Sequence, residues 1–240
     1  MVYRPIFASR KRAQAIGAGA LLSLLLSACV SGPAIPPGKR LSSAPPKRGH
    51  RAAPPAGNGR VALSDFDSRQ CMANLSRAQI QFTALPDRDY GGGCGAINSV
   101  KLLDIGTPVT NLGSMTCPLA AKFAAWARYG VQPAARLVLG QEITRIETFG
   151  TYNCRPIAGS GKLSEHAHAN AVDVAAFVLA DGTRISVKGD WDSGGRAARF
   201  LKVIHDSACK RFSTVLSPDY NSAHHDHFHF DMGSGRMFCS

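Results

Sequence analysis

The first sixty residues contain no aspartate or glutamate, yet they hold ten lysines and arginines. Residues 61–240 carry sixteen acidic residues against eighteen basic ones, so the +12 net charge of the 240-residue chain sits almost wholly at its start. The folded part is close to neutral, whereas nucleic-acid binding would want a concentrated basic face, so nucleic acid is not expected as a partner. No Cys-x-x-Cys pair occurs, which argues against a zinc ribbon. There is no internal repeat. The longest mostly apolar run, Ala15 to Leu26, is shorter than an ordinary membrane span. Gly91-Gly92-Gly93 lacks a following helix start, so it makes no phosphate cradle.

What is present at the start has the form of an export signal. Arg4, Arg10, Lys11 and Arg12 form a positive segment, the apolar run follows, and small residues come next. Leu26-Ser27-Ala28-Cys29 resembles a bacterial lipobox, which implies that 1–28 is a lipoprotein signal peptide and that Cys29 is lipidated. The alternative is a plain secretory signal with an incidental cysteine. Either reading exports the protein to the bacterial cell envelope. Val30 replaces the aspartate linked to inner-membrane retention, which favours a lipid anchor in the outer membrane, facing the periplasm. Residues 29–60 are rich in proline, glycine, serine and basic side chains, with few large apolar ones, and read as a disordered tether. Its charge suits anionic lipid or cell-wall carboxylates; a merely soluble spacer is the other reading.

Six cysteines remain: Cys71, Cys94, Cys117, Cys154, Cys209 and Cys239. An even number in an exported chain predicts up to three disulfides, with the pairing left open by the sequence. A bridge from Cys239 would pin the chain end against the domain.

Residues 61–240 read as one α+β domain, a small central antiparallel sheet flanked by helices. "PLAAKFAAWARYG" places Leu119, Phe123 and Trp126 at helical spacing, with Gly130 as the expected stop. A second helix carries Ala197, Phe200, Leu201, Ile204 and Ala208 on one stripe, with His205 beside it as a packing or surface residue. Strands are expected in "RLVLG", "EITRIETFG", "NAVDVAAFVL", "FSTVLS" and "DHFHFDM".

Two stretches carry the chemistry. In "SEHAHANAVDV", His166 and Asp173 stand seven apart, and a loop entering a strand would bring both to one strand edge. Ala171, Asp173 and Ala175 would share a face, with Val172 and Val174 packed behind. In "AHHDHFHFDM", four of the eight histidines fall within six residues. A strand there projects His227, His229 and Asp231 together and turns Phe228 and Phe230 the other way. Imidazoles on a buried strand need a partner, and a metal is an economical one. Two histidines and one carboxylate leave a fourth zinc position open, which is the catalytic rather than the structural pattern.

"SEHAHANAVDV" resembles the S-x-H-x-x-G-x-A-x-D motif of the zinc D-Ala-D-Ala metallopeptidase superfamily, which includes murein endopeptidases, carboxypeptidases and the zinc fold of hedgehog signalling domains. Ser164, His166, Ala171 and Asp173 match, and Ala169 stands where the motif has glycine. Together with "SPDYNSAHHDHFHFDM", the chain over roughly 65–240 most resembles the bacterial extensin-like C-terminal domain family. The resemblance implies a hedgehog-type site with one Zn2+ held by His166, Asp173 and His229. It implies Asp226 or His227 as the catalytic base; strict strand alternation favours His227, and a bend would rescue Asp226. It places Arg155 where relatives hold the substrate carbonyl oxygen, the alternative being a structural arginine beside Cys154. His168 is expected to be exposed, and His224 and His225 to shape the loop or touch substrate. The implied function is a surface-tethered zinc peptidase that hydrolyses amide bonds of peptidoglycan peptides. Two other readings stand beside it: a non-catalytic wall-binding module that keeps the metal for structure, and a metal-free domain held by disulfides.

Overall fold

The computed structural model describes residues 65–233 and 235–240. The expected signal peptide (1–28), the lipidation candidate Cys29 and the expected tether (29–60) lie outside the described residues. Helix α1 (Asp65–Arg77) leads into four short strands, β1 (Gln81–Ala84), β2 (Arg88–Gly91), β3 (Cys94–Ala96) and β4 (Ser99–Asp104). Strands β5 (Val109–Thr110) and β6 (Met115–Thr116) precede helix α2 (Cys117–Trp126). Helical backbone continues through α3 (Gln132–Ala134) to Leu139, followed by β7 (Ile143–Gly150) and β8 (Ala171–Leu179). The chain then forms β9 (Arg184–Ser186), α4 (Val187–Asp190), α5 (Gly195–Cys209), β10 (Thr214–Leu216), β11 (Phe228–Asp231) and β12 (Phe238–Cys239). Among the described residues no helix is long and apolar enough to cross a membrane.

The sheet is larger and less uniform than expected. Seven strands join in the order β12-β10-β11-β8-β7-β5, with β9 also paired to β8. β10 with β12 and β5 with β7 are parallel, and the other pairs are antiparallel. The parallel β5–β7 pair follows from a long crossover through α2, which a tight hairpin cannot replace. β1-β4-β6 form a separate three-stranded sheet and β2–β3 a hairpin, whose turn at Gly91-Gly92-Gly93 uses positive φ throughout.

Two local expectations are corrected. Gly130 does not stop the first helix. It sits where an added Cβ would lie 2.5 Å from Ser207 Oγ, so glycine there lets α5 approach closely. "RLVLG" is helical, not extended: π-helical turns at Ala127–Val131 and Ala135–Leu139 bracket α3, and the run ends at Gly140 in the left-handed conformation, φ +74°. Pro133 has no N–H to give, and just before it the Gln132 N–H reaches back five residues to Ala127 O.

The core lies between this helical layer and the large sheet. Phe228 and Phe230 are fully buried on one face of β11, beside Val172 and Val174 of β8. They pack against Trp191, Trp126 and Phe212. The Trp126 indole N–H donates to Ile204 O of α5 at 2.9 Å. Each buried Phe contributes roughly 1.5–3 kcal/mol, so the alternation in β11 is held by several kcal/mol and fixes which side His229 and Asp231 take. On α5 the buried stripe runs through Ala198, Phe200, Leu201, Ile204 and Ala208, with Ala197 at its margin.

One feature of the sheet matters for the site. β7 occupies one edge of β8 along most of its length. The other edge is shared: β11 pairs with residues 171–174 and β9 with residues 176–178. The two strands leave a seam at Ala175.

All six candidate cysteines pair. Cys71–Cys117 joins α1 to α2, Cys94–Cys154 joins β3 to the loop ahead of His166, and Cys209–Cys239 ties α5 to β12.

Candidate metal centre

His166 reaches the site from a short turn rather than from a strand. Residues Glu165–His168 form a 3-10 turn whose start is capped by Ser164 Oγ, which accepts the His166 N–H at 3.3 Å. Ala169 ends the turn at φ +55°, the position that glycine takes in the resembled motif. An alanine holds this conformation at roughly 1 kcal/mol or more, and the Thr116 N–H bond to Ala169 O at 2.8 Å keeps it there. From Ala171 the chain enters β8, which places Asp173 on the face away from Val172 and Val174, opposite His229 of β11 in register.

His166 Nε2, His229 Nδ1 and Asp173 Oδ1 converge. His166 Nε2 lies 3.1 Å from each of the other two atoms, and His229 Nδ1 lies 2.9 Å from Asp173 Oδ1. All three residues are buried. The far nitrogens are already committed: His166 Nδ1–H donates to Thr151 O at 2.8 Å, and His229 Nε2–H donates to Asp231 Oδ2 at 3.1 Å. With those protons placed, the neutral rings turn two lone pairs and a carboxylate oxygen toward one point. Three acceptors at that spacing repel unless a positive charge joins them. The donor set, two imidazoles and a carboxylate, suits zinc; ligands about 2.0–2.1 Å from the ion stand roughly 3.3 Å apart in a tetrahedron. The Thr151 and Asp231 contacts are of the kind that orient metal-binding histidines. The three residues therefore fit one ion.

Without an ion, a proton takes that place. Burial works to raise the Asp173 carboxyl, but hydrogen bonds from His166 and His229 outweigh it and hold the group well below the usual range. Burial works to lower His229, but Asp173 and Asp231 push it up to about 9. A group raised in this way contributes stability that is complete below its ordinary value near 6.5 and is lost as pH climbs through about 9. Asp173 acts in the opposite sense: its contribution is complete above its ordinary value near 4 and disappears only in acid. Chelator-treated protein is thus expected to lose thermal stability between about pH 6.5 and 9, read by calorimetry in EDTA. A flat melting temperature across that window would show that His229 Nδ1 is not protonated when no metal is bound.

Asp226 and His227 are hydrogen-bonded to each other. β11 begins only at Phe228, so the chain bends before it, and Asp226 Oδ1 accepts the His227 Nδ1–H at 2.8 Å. His227 Nε2 then faces the cluster, 3.6 Å from Asp173 Oδ1. Its ring also meets exposed Phe149 edge-on. Arg155 is exposed, enters no ion pair among the described residues, and lies close enough for its charge to disfavour protonation of His224. Its backbone carbonyl accepts the Ser164 N–H at 3.1 Å, which ties it to the His166 turn.

His205, His224 and His225 have local partners. His168 is half-buried rather than exposed. Asn221 caps the Ser222–His224 turn; its Oδ1 also meets His224 Nδ1 at 2.7 Å, and His225 Nδ1 meets Ser222 O at 2.8 Å. Burial, then the nearby His227 and His229, lower His224 to about 4, so it is neutral at pH 7. His205 is buried against Trp191 and Phe228. With Cys209 and Cys239 it makes a second grouping of metal-type side chains, but the two sulfurs are bonded to each other. Sequence reasoning missed Thr151, whose contribution is a backbone carbonyl and leaves no mark in residue type. Phe149 was also missed; a phenylalanine at a strand end reads as core.

No curated protein and no solved structure matches the chain. Over residues 69–240 it matches the family model described as the extensin-like protein C-terminus, and with that match spanning well over half its length the chain belongs to the extensin-like C-terminal family.

Proposed function

We propose that this protein is a zinc-dependent hydrolase of the cell envelope that cleaves amide bonds in peptidoglycan peptides. The observation that carries the reading is the convergence of His166 Nε2, His229 Nδ1 and Asp173 Oδ1 within 3.1 Å of one another, with both far nitrogens committed elsewhere. A zinc ion held by these three would polarise a carbonyl and make water a stronger nucleophile at neutral pH.

The remaining chemistry falls to the chain's own side chains. Asp226 fixes the His227 tautomer by accepting its Nδ1–H, which leaves Nε2 as a base facing the cluster. His227 takes a proton at Nε2 from the attacking water and returns it to the departing amine. Arg155, a cation with no ion pair among the described residues, is free to hold the carbonyl oxygen as negative charge develops. Lipid anchoring at Cys29 and the basic tether would keep this activity beside the wall. The substrate class rests on the resemblance of "SEHAHANAVDV" to murein-cleaving enzymes.

The test is incubation of zinc-loaded protein with purified peptidoglycan and assay of newly released amines. His227→Ala is expected to keep the metal and lower turnover by about 10²–10⁴-fold, the usual contribution of a general base. Wild-type protein that binds zinc and wall but releases no amine would replace the hydrolase with a binding module.

A further inference from the structure

The seam on β8 is a slot. β11 stops pairing at Val174 and β9 starts at Ala176, and the gap between them opens as a groove of about 530 Å³. Ala175 floors it; Phe149, Arg184, Lys188 and Asp226 stand around it. Ala175 shares the face of Asp173 and lies two residues further along the strand, about 7 Å away at the usual rise. The slot therefore adjoins the metal cluster on the side where Asp226 holds His227.

Its electrostatics are specific. The carboxylates around the slot have partners. Glu147 accepts from Arg184 at 2.8 Å and from Arg145 at 3.0 Å. Asp226 is taken by His227, and Asp190 accepts the Ser186 N–H at 2.8 Å. Lys188 is exposed and enters no ion pair among the described residues, though against burial its charge is close enough to help His227 and His225 hold the Asp226 carboxyl below its usual range. Phe149, 59 % exposed, gives the slot one apolar wall. A cation outside any close ion pair, beside an apolar wall and a small floor, suits a short aliphatic residue that bears a carboxylate.

We propose that the slot at Ala175 receives a carboxylate of the substrate, with Lys188 as its counter-charge. This deepens the hydrolase reading and rests on the cluster being where the scissile bond lies. An extended peptide advances about 3.3 Å per residue, so the carboxylate sits one or two residues beyond the bond that is cut. The enzyme would thus trim near a carboxylate-bearing end in preference to cutting the middle of a neutral chain. The carboxylate is supplied by the peptide's C-terminus or by an acidic side chain.

The test is calorimetric titration of His227→Ala protein, which keeps the probes intact. Three probes are used: an N-acetylated D-alanine tripeptide with a free carboxylate, its C-terminal amide, and that amide with aspartate as its last residue. The free acid is expected to bind about tenfold more tightly than the amide, as a charge-assisted contact provides. Lys188→Gln should erase the difference and Lys188→Arg should keep it. If the aspartate amide binds like the acid, the slot accepts a side-chain carboxylate; if it binds like the plain amide, the slot reads the terminus; both support the proposal. Equal binding of acid and amide, or a preference that survives Lys188→Gln, overturns it. Binding is read apart from turnover: an acid preference without hydrolysis by wild type sinks only the hydrolase, and hydrolysis without an acid preference sinks only the slot.

Discussion

His166→Ala is expected to take the protein from one bound zinc ion per chain to none, and turnover of peptidoglycan with it. The substitution removes one of three converging donors and leaves His229 Nδ1 and Asp173 Oδ1, 2.9 Å apart, as a two-ligand remnant. Even a change one step back, Asp231→Asn, should weaken metal binding by about 10–100-fold, because Asp231 sets the His229 tautomer. The direct ligand must cost more than that. Metal analysis after dialysis measures the first effect. Melting curves with and without chelator measure it again, since a ligand bound only by the folded state raises its stability by mass action. Chelator should lower the wild-type melting temperature and leave His166→Ala unchanged. Full zinc stoichiometry in His166→Ala would falsify the assignment of this cluster as the metal centre.

Removal of the Cys94–Cys154 bridge should produce the largest loss of stability. The bridge closes a loop across 60 residues, which corresponds to about 4 kcal/mol of unfolded-state entropy in the chain-entropy account. It also acts near the site: Cys154 lies three residues after Thr151, whose carbonyl orients His166, and one before Arg155. Cys94→Ser with Cys154→Ser is therefore expected to lower both unfolding free energy and zinc affinity. Denaturant titration reads the first and competition with a chromophoric chelator the second. A loss below about 1 kcal/mol would mean that hydrogen bonds alone, such as Asn153 N–H to His166 O at 3.1 Å, order this loop.

The site was more legible in the sequence than the fold around it. Period-two alternation in "HFHFD" follows directly from burial, so Phe228 and Phe230 announced the face on which His229 and Asp231 would stand. The same holds for Val172 and Val174 against Asp173. The chain between Gln81 and Thr116 was opaque, because its strands are two to six residues long, too short to show a period. "RLVLG" misled because a short apolar run with β-branched character serves a helix equally well when tertiary packing favours it. Gly130 misled for a related reason: its role is close approach to Ser207, a contact 77 positions away that no local window contains. The bend that unites Asp226 with His227 was invisible to strict alternation, since strand geometry begins one residue later.

The shared edge of β8 separates two tasks along the polypeptide. The turn at 165–168 and strands β8 and β11 hold the converging donors, while one side of the neighbouring slot comes from β9 and the first residues of α4, with Phe149 and Asp226 completing it. On the hydrolase reading, exchanges within 180–190 would reshape what enters while leaving the three converging donors in place. On the same reading, a family member's selectivity would be tuned at one side of the slot, independently of its ion-binding residues.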